Sequence, residues 1–227
     1  MNDEPDGEWE DQWPQFDLRG RSVAFVIFEG RLTALGRWLE YQTEAVMRFL
    51  SAEITHMQDV PTSESDELDT EILDDMEEFV QERLSWVEEV FPFAAFASII
   101  PLAFGALEQM MTDLVDFAQE SQAISFHTFR LGSKDPQLNA QMKYLRDVAG
   151  WKIGWSKGDR RRFGAAQATR NKIAHTFGDS ISENTLKSLN LKSMDSTTGF
   201  IWNHETVEDV LRIIVRFAQS IGDAEPA

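Results

Sequence analysis

The stretch Asn203-His204-Glu205-Thr206-Val207-Glu208-Asp209-Val210-Leu211-Arg212-Ile213-Ile214-Val215-Arg216-Phe217-Ala218-Gln219-Ser220-Ile221-Gly222 decides the fold class. Val207, Val210, Leu211, Ile214, Phe217 and Ile221 recur every three or four residues, which is the period of one face of an α-helix. Asn203 can cap that helix by accepting a backbone N–H from its first turn. The same period runs upstream. Residues 20–56 carry it in Phe28, Leu32, Leu35, Leu39, Val46, Leu50 and Ile54. Pro61 and Ser63-x-x-Asp66 open a second helix with the stripe Leu68, Ile72, Met76, Phe79, Leu84 and Val87. Residues 93–121 predict a third, kinked near Pro101, through Leu107, Met110, Met111, Leu114 and Phe117. After a loop with Gly132, Asp135-Pro136 reads as an N-cap followed by proline at the first helical position. That fourth helix carries Leu138, Met142, Leu145 and Ala149 and stops at Gly150. A fifth spans 157–177 and is closed by Gly178. Residues 187–203 are weakly patterned, and Gly199-Phe200-Ile201-Trp202 suggests a small hairpin. The expected fold is an all-α helical bundle of five to six helices, with a small β-hairpin before the last.

Composition fits a soluble globular domain, at 227 residues with 42% hydrophobic and 26% charged side chains. With no cysteine, disulfides, thiolate zinc sites, iron–sulfur clusters and cysteine nucleophiles are excluded. The N-terminus is acidic and polar, unlike a secretory or mitochondrial leader, so a cytoplasmic location is expected. The net charge of −18 is uneven. Residues 1–90 hold 24 acids and 6 bases, whereas 91–227 hold 15 of each. Between 130 and 175 there are 11 bases and only three acids, Asp135, Asp147 and Asp159. Residues 1–18 read as a flexible acidic arm. Residues 19–227 read as one helical domain, in which an acidic hairpin (19–90) packs on a bundle (91–227). The acidic face Glu71, Asp74, Asp75, Glu78, Glu82 and Glu89 reads as a solvated surface or as a docking face for a basic partner. Val90 to Leu107 is uncharged for 18 residues, the lower limit for a spanning helix. Pro92, Pro101 and Gly105 interrupt it, and no Lys or Arg occurs between 84 and 129, so a buried core helix and no membrane partner are expected.

Several chemistries lack their residues. There is no Walker-type phosphate loop and no GxGxxG. His56, His127, His175 and His204 make no His-x3-His or His-Glu-x-x-His pair, so neither a metal site nor a cofactor is expected.

The fifth helix carries Arg170-Asn171-Lys172-Ile173-Ala174-His175. At about 100° per residue from Arg170, Ala174 falls near 40°, Gln167 near 60°, Arg160 near 80°, Asn171 near 100° and His175 near 140°. Phe163, Ala166, Ile173 and Phe177 cluster between roughly 300° and 20°. One sector is therefore core, and the next gathers Arg, Asn, Gln and His around a small alanine. That set suits phosphodiester chemistry. A guanidinium grips two phosphate oxygens and steadies a pentavalent transition state. An imidazole can move the proton of a ribose 2′-hydroxyl or of the leaving 5′-oxygen. Two such groups work best, and two copies of the helix across a dimer axis would supply both.

The hexad resembles the Arg-x4–6-His signature of the HEPN superfamily, in which a polar residue usually follows the Arg. The resemblance covers residues 93–222. It implies a helical bundle that dimerises and a metal-independent endoribonuclease acting as a toxin or in phage defence. It implies Arg170, His175 and Asn171 as the catalytic set, with Lys172 beside them. The helix Ala106-Leu107-Glu108-Gln109-Met110-Met111-Thr112-Asp113-Leu114 resembles the acid-bearing core helix of such domains, which implies Glu108 as a support for Arg170. An antitoxin or sensor protein is the implied regulator.

Lys152, Lys157, Arg160, Arg161 and Arg162 precede the hexad, with Trp151 and Trp155 interleaved. Cations beside aromatics suit single-stranded RNA, through phosphate contacts and base stacking. The tryptophans equally suit packing at a helix–helix corner, and the arginines equally suit pairing with the acidic half. In that case the acidic half shields the basic surface until RNA or a partner displaces it. The residues also fit a second class of function, a non-catalytic helical module that binds a protein or nucleotide partner.

Overall fold

The apolar period sets where helices form, and local chemistry sets where they end. The computed structural model describes residues 22–58, 91–132, 135–176, 182–189 and 204–226. Of these, 82% are helical and none is in a strand, in keeping with an all-α bundle. In chain order the helices are α1 (Val23–Gln58), α2 (Phe91–Ala97), α3 (Ile99–Gln119), α4 (Phe126–Leu131), α5 (Gln137–Asp147), α6 (Lys157–Thr176), α7 (Glu183–Leu189) and α8 (His204–Gly222). The acidic arm (1–18), the acidic helix opened by Pro61 and the Gly199–Trp202 hairpin lie outside the described residues.

Two compact units divide the chain. The first takes residues through Thr33, Ala103–Ala166 and those from Leu211 onward. Its core is Phe25 and Phe28 of α1, Phe104, Leu107, Met110, Met111 and Leu114 of α3, Tyr144 and Leu145 of α5, Phe163 of α6, and Ile214 and Phe217 of α8. Each such side chain contributes about 1.5–3 kcal/mol on full burial. The buried Gln141 amide on α5 donates to the Thr112 hydroxyl on α3 at 2.9 Å, and that hydroxyl donates to the Glu108 carbonyl at 2.9 Å. The second unit takes Ala34–Leu102 and Gln167–Val210. There Leu39 and Val46 of α1, Phe96 of α2, Ile99 and Ile100 of α3, Leu189 of α7, and Val207 and Val210 of α8 are buried. The helical segment Ala94–Gln119 is long and apolar enough to cross a membrane by length and composition, and 56% of its most apolar window is buried.

The structure corrects several sequence-based boundaries. The 93–121 helix is interrupted at Ser98, three residues before Pro101, near which a kink is expected. A proline ring crowds the carbonyl four residues back, here Ala97, where α2 stops, so Pro101 sits in the first turn of α3. Asp135 does not cap α5. Pro136 occupies the cap position and has no side-chain acceptor to offer, while the Asp135 carboxylate takes the Lys143 ammonium at 2.6 Å. The 119–132 loop contains α4, started by Ser125, whose hydroxyl accepts the Thr128 N–H at 3.3 Å. Downstream, α7 occupies part of the weakly patterned stretch, with the Ser182 hydroxyl accepting the Thr185 N–H at 3.2 Å. Helix α5 stops at Asp147 with Val148 as its cap, and Gly150 lies three residues past that end. Its φ of +75° lets the Trp151 N–H return to the Leu145 carbonyl at 2.9 Å and seats Trp151 in the core.

Candidate functional site

Helix α6 starts at Lys157, the start expected for the fifth helix, and Ser156 fixes its first turn. The Ser156 hydroxyl accepts the Asp159 N–H at 3.0 Å and donates to the Asp159 carboxylate at 2.5 Å, a reciprocal cap. Farther along, Phe163, Ala165, Ala166 and Thr169 are buried, and Arg170, Gln167 and Ile173 are half-buried. Asn171, Lys172, Ala174 and His175 are exposed. The sectors follow the helical arithmetic, with Arg170 on the border between core and solvent.

Within the hexad, the Arg170 guanidinium donates to the Asn171 side-chain oxygen at 3.1 Å. That bond joins the two residues from which a phosphate grip is expected. Arg170 and Lys172 also engage further partners. His175 is exposed in the last turn of α6. Five residues of α-helix separate it from Arg170 by about 7.5 Å along the axis and about 140° around it. One chain therefore offers a single imidazole set well around the helix from its guanidinium. Glu108 belongs to the first unit, where it is half-buried on α3 and its carbonyl accepts the Thr112 hydroxyl.

The residues preceding the hexad divide by their contacts. Lys152 and Lys157 are exposed on the surface, as are Arg160 and Arg161. Arg160 reaches back to the Trp155 carbonyl at 3.4 Å. Trp155 is half-buried and sits at a helix–helix corner. Its indole N–H donates to the Ser220 hydroxyl of α8, which donates in turn to the Phe217 carbonyl at 2.7 Å. The Trp155 ring meets Phe163 and Phe217 edge-on, with centroids 5.2 and 4.6 Å away. Phe163 and Phe217 stack at 4.1 Å, nearly parallel. Trp151 is buried.

These aromatics form the wall of a cleft of about 240 Å³. Gly154, Trp155, Asp159, Arg162 and Phe163 line it from the start of α6. Ile213, Arg216, Phe217, Gln219, Ser220 and Asp223 line it from the end of α8. The structure thus brings Trp155 and Arg162 together and adds Arg216, which sequence reasoning missed. A signal was present: Ile213, Arg216, Phe217 and Ser220 follow the three–four helical step, as do Trp155, Asp159, Arg162 and Phe163. Among the described residues, no group of three His, Asp or Glu side chains is arranged to hold a metal ion.

No family model, no curated protein and no solved structure matches this chain.

Proposed function

We propose that this chain is a metal-independent endoribonuclease of HEPN type, active as a homodimer and serving as a toxin or phage-defence effector held in check by an antitoxin or sensor. The observation that carries the reading is the Arg170–Asn171 bond beside an exposed His175 on one helix of an all-α bundle. In the reaction, a ribose 2′-oxygen attacks the adjacent phosphorus and the bond to the 5′-oxygen breaks, leaving a 2′,3′-cyclic phosphate and a free 5′-hydroxyl. Arg170 binds the non-bridging oxygens as charge builds on them. Asn171 orients the guanidinium through the bond they share. One imidazole removes the 2′-hydroxyl proton, and a second protonates the leaving oxygen. Each copy of the chain brings one His175, so two copies supply the base and the acid. Glu108 and Lys172 support the site in this reading, and Arg160, Arg161, Arg162, Lys152, Lys157 and Trp155 hold the RNA.

The test is incubation of the purified protein with RNA in excess EDTA, beside an Arg170→Ala/His175→Ala double variant. Cleavage by the wild type alone, with 2′,3′-cyclic phosphate ends, supports the reading. A folded wild-type protein that leaves RNA intact leaves two options, a silenced toxin or the non-catalytic class, a helical module for a protein or nucleotide partner.

A further inference from the structure

Two guanidiniums line the cleft of the first unit. With 39 acids to 21 bases, an exposed guanidinium in this chain has acids in excess to pair with. Arg212, one turn before Arg216, is engaged, as is Arg161. Arg162 and Arg216 have no hydrogen bond or ion pair among the described residues, and both line the same cleft. Asp159 and Asp223 in the lining bring its formal charge to zero, yet neither forms an ion pair with Arg162 or Arg216. Asp159 holds the Ser156 hydroxyl, and Asp223 has an interaction of its own.

Two unpaired guanidiniums beside an aromatic wall fit a ligand that is anionic at one end and flat at the other. Guanidinium forks match phosphate oxygens two at a time. The Trp155 surface gives a base an apolar face to lie against. The Gln219 amide and the Asp223 carboxylate supply donors and acceptors for ribose hydroxyls or base edges. We propose that this cleft is a nucleoside-phosphate site, with the phosphate between Arg162 and Arg216 and the base against Trp155. At about 240 Å³ and open to solvent on one side, it suits a single unpaired nucleotide unit. That unit is either a free nucleoside monophosphate or one residue of a single-stranded RNA. None of Arg170, Asn171 and His175 lines the cleft, so binding there can be read separately from cleavage.

Calorimetric titration at low salt tests this with AMP, GMP, CMP and UMP, with adenosine, with inorganic phosphate, and with a five-nucleotide RNA whose 2′-O-methyl groups prevent cleavage. At least one monophosphate binds, and adenosine and phosphate each bind at least about tenfold more weakly. Arg162→Ala and Arg216→Ala each weaken binding by about tenfold or more, whereas Arg212→Ala on the same helix changes it by less than about twofold. Tighter binding of the oligonucleotide than of any monophosphate, lost in the same two variants, identifies RNA as the source. Equal or weaker binding identifies a free nucleotide. Monophosphate binding is read without any cleavage, so a chain that fails to cleave RNA still reports on this cleft. No heat from any nucleotide at millimolar concentration, or binding that survives both cleft substitutions in proteins with unchanged melts, overturns the proposal.

Discussion

Replacing Tyr144 with Phe removes one oxygen from the core of the first unit and tests how the segment around α4 is held. Helix α4 buries no side chain of its own. What ties it down is Tyr144, fully buried on α5. Its hydroxyl donates to the Ile124 carbonyl at 2.6 Å, and its ring meets Phe126 at 5.5 Å and Phe129 at 5.6 Å, both edge-on. Phe keeps the ring contacts and leaves the carbonyl without its donor, at a cost of about 1–2 kcal/mol. For a chain of this length that lowers Tm by roughly 2–8 °C. Hydrogen exchange should rise between residues 120 and 132 before it rises elsewhere. Burial raises the Tyr144 phenol above its ordinary value of 10.0. A folded-state value above the unfolded one gives stability that is whole below pH 10 and is lost as pH climbs further, because the unfolded phenol ionises first. Tyr144→Phe has no such proton to lose, so the stability gap between the proteins should narrow above pH 10. Equal melts at pH 7 with unchanged exchange in 120–132 would refute the claim that this hydrogen bond anchors the segment.

Gly150→Ala should lose about 1 kcal/mol in denaturant melts, through its positive φ alone, since a Cβ there meets nothing within 4 Å. Gly150→Asn should lose less, because asparagine tolerates the left-handed region. Ser156→Ala should lower stability by about 1 kcal/mol by freeing the first turn of α6, read as a fall in Tm. Neutralising Asp74, Asp75, Glu77 and Glu78, or deleting residues 1–18, should raise RNA affinity in filter-binding titrations if the acidic half shields the basic surface. Unchanged affinity in both proteins removes that shielding.

The helices that sequence made legible are those long enough to show a period. Over the 19 residues of α8 the apolar stripe repeats five turns deep and every expected core position is buried, whereas over the nearly six turns of α3 the expected stripe is buried except at Phe117, which is 63% exposed. Helices α4 and α7 have six and seven residues, less than two turns, and no periodic stripe can be read from so few positions. Their Ser125 and Ser182 caps were visible, but a lone serine is common in loops and gains meaning only once a helix follows it. Asp135 shows a different failure. A carboxylate next to a proline has two outlets, the backbone N–H of a cap or a nearby cation, and Lys143 eight residues on supplied the cation. Sequence shows both outlets without ranking them.

The site divides along the same line between local and non-local information. Every side chain of the Arg170–His175 hexad stands on one helix, so its core, border and solvent sectors follow from 3.6 residues per turn, and the exposures agree with that arithmetic. The Arg162–Arg216 cleft needs two helices 54 residues apart in the chain, and it exists only where the start of α6 packs on the end of α8. The packing is set by Phe163 stacked on Phe217 and by the Trp155 indole donating to Ser220. Each of these reads in sequence as ordinary core or ordinary surface. Arg216 is equally plain, a cation on the polar side of an amphipathic helix. Its distinction is that it lines the same cleft as Arg162, a property that composition cannot display because it belongs to position. The charge arithmetic therefore points to a basic stretch near α6, and only the packing of α8 shows that Arg162 of that stretch shares a cleft with Arg216.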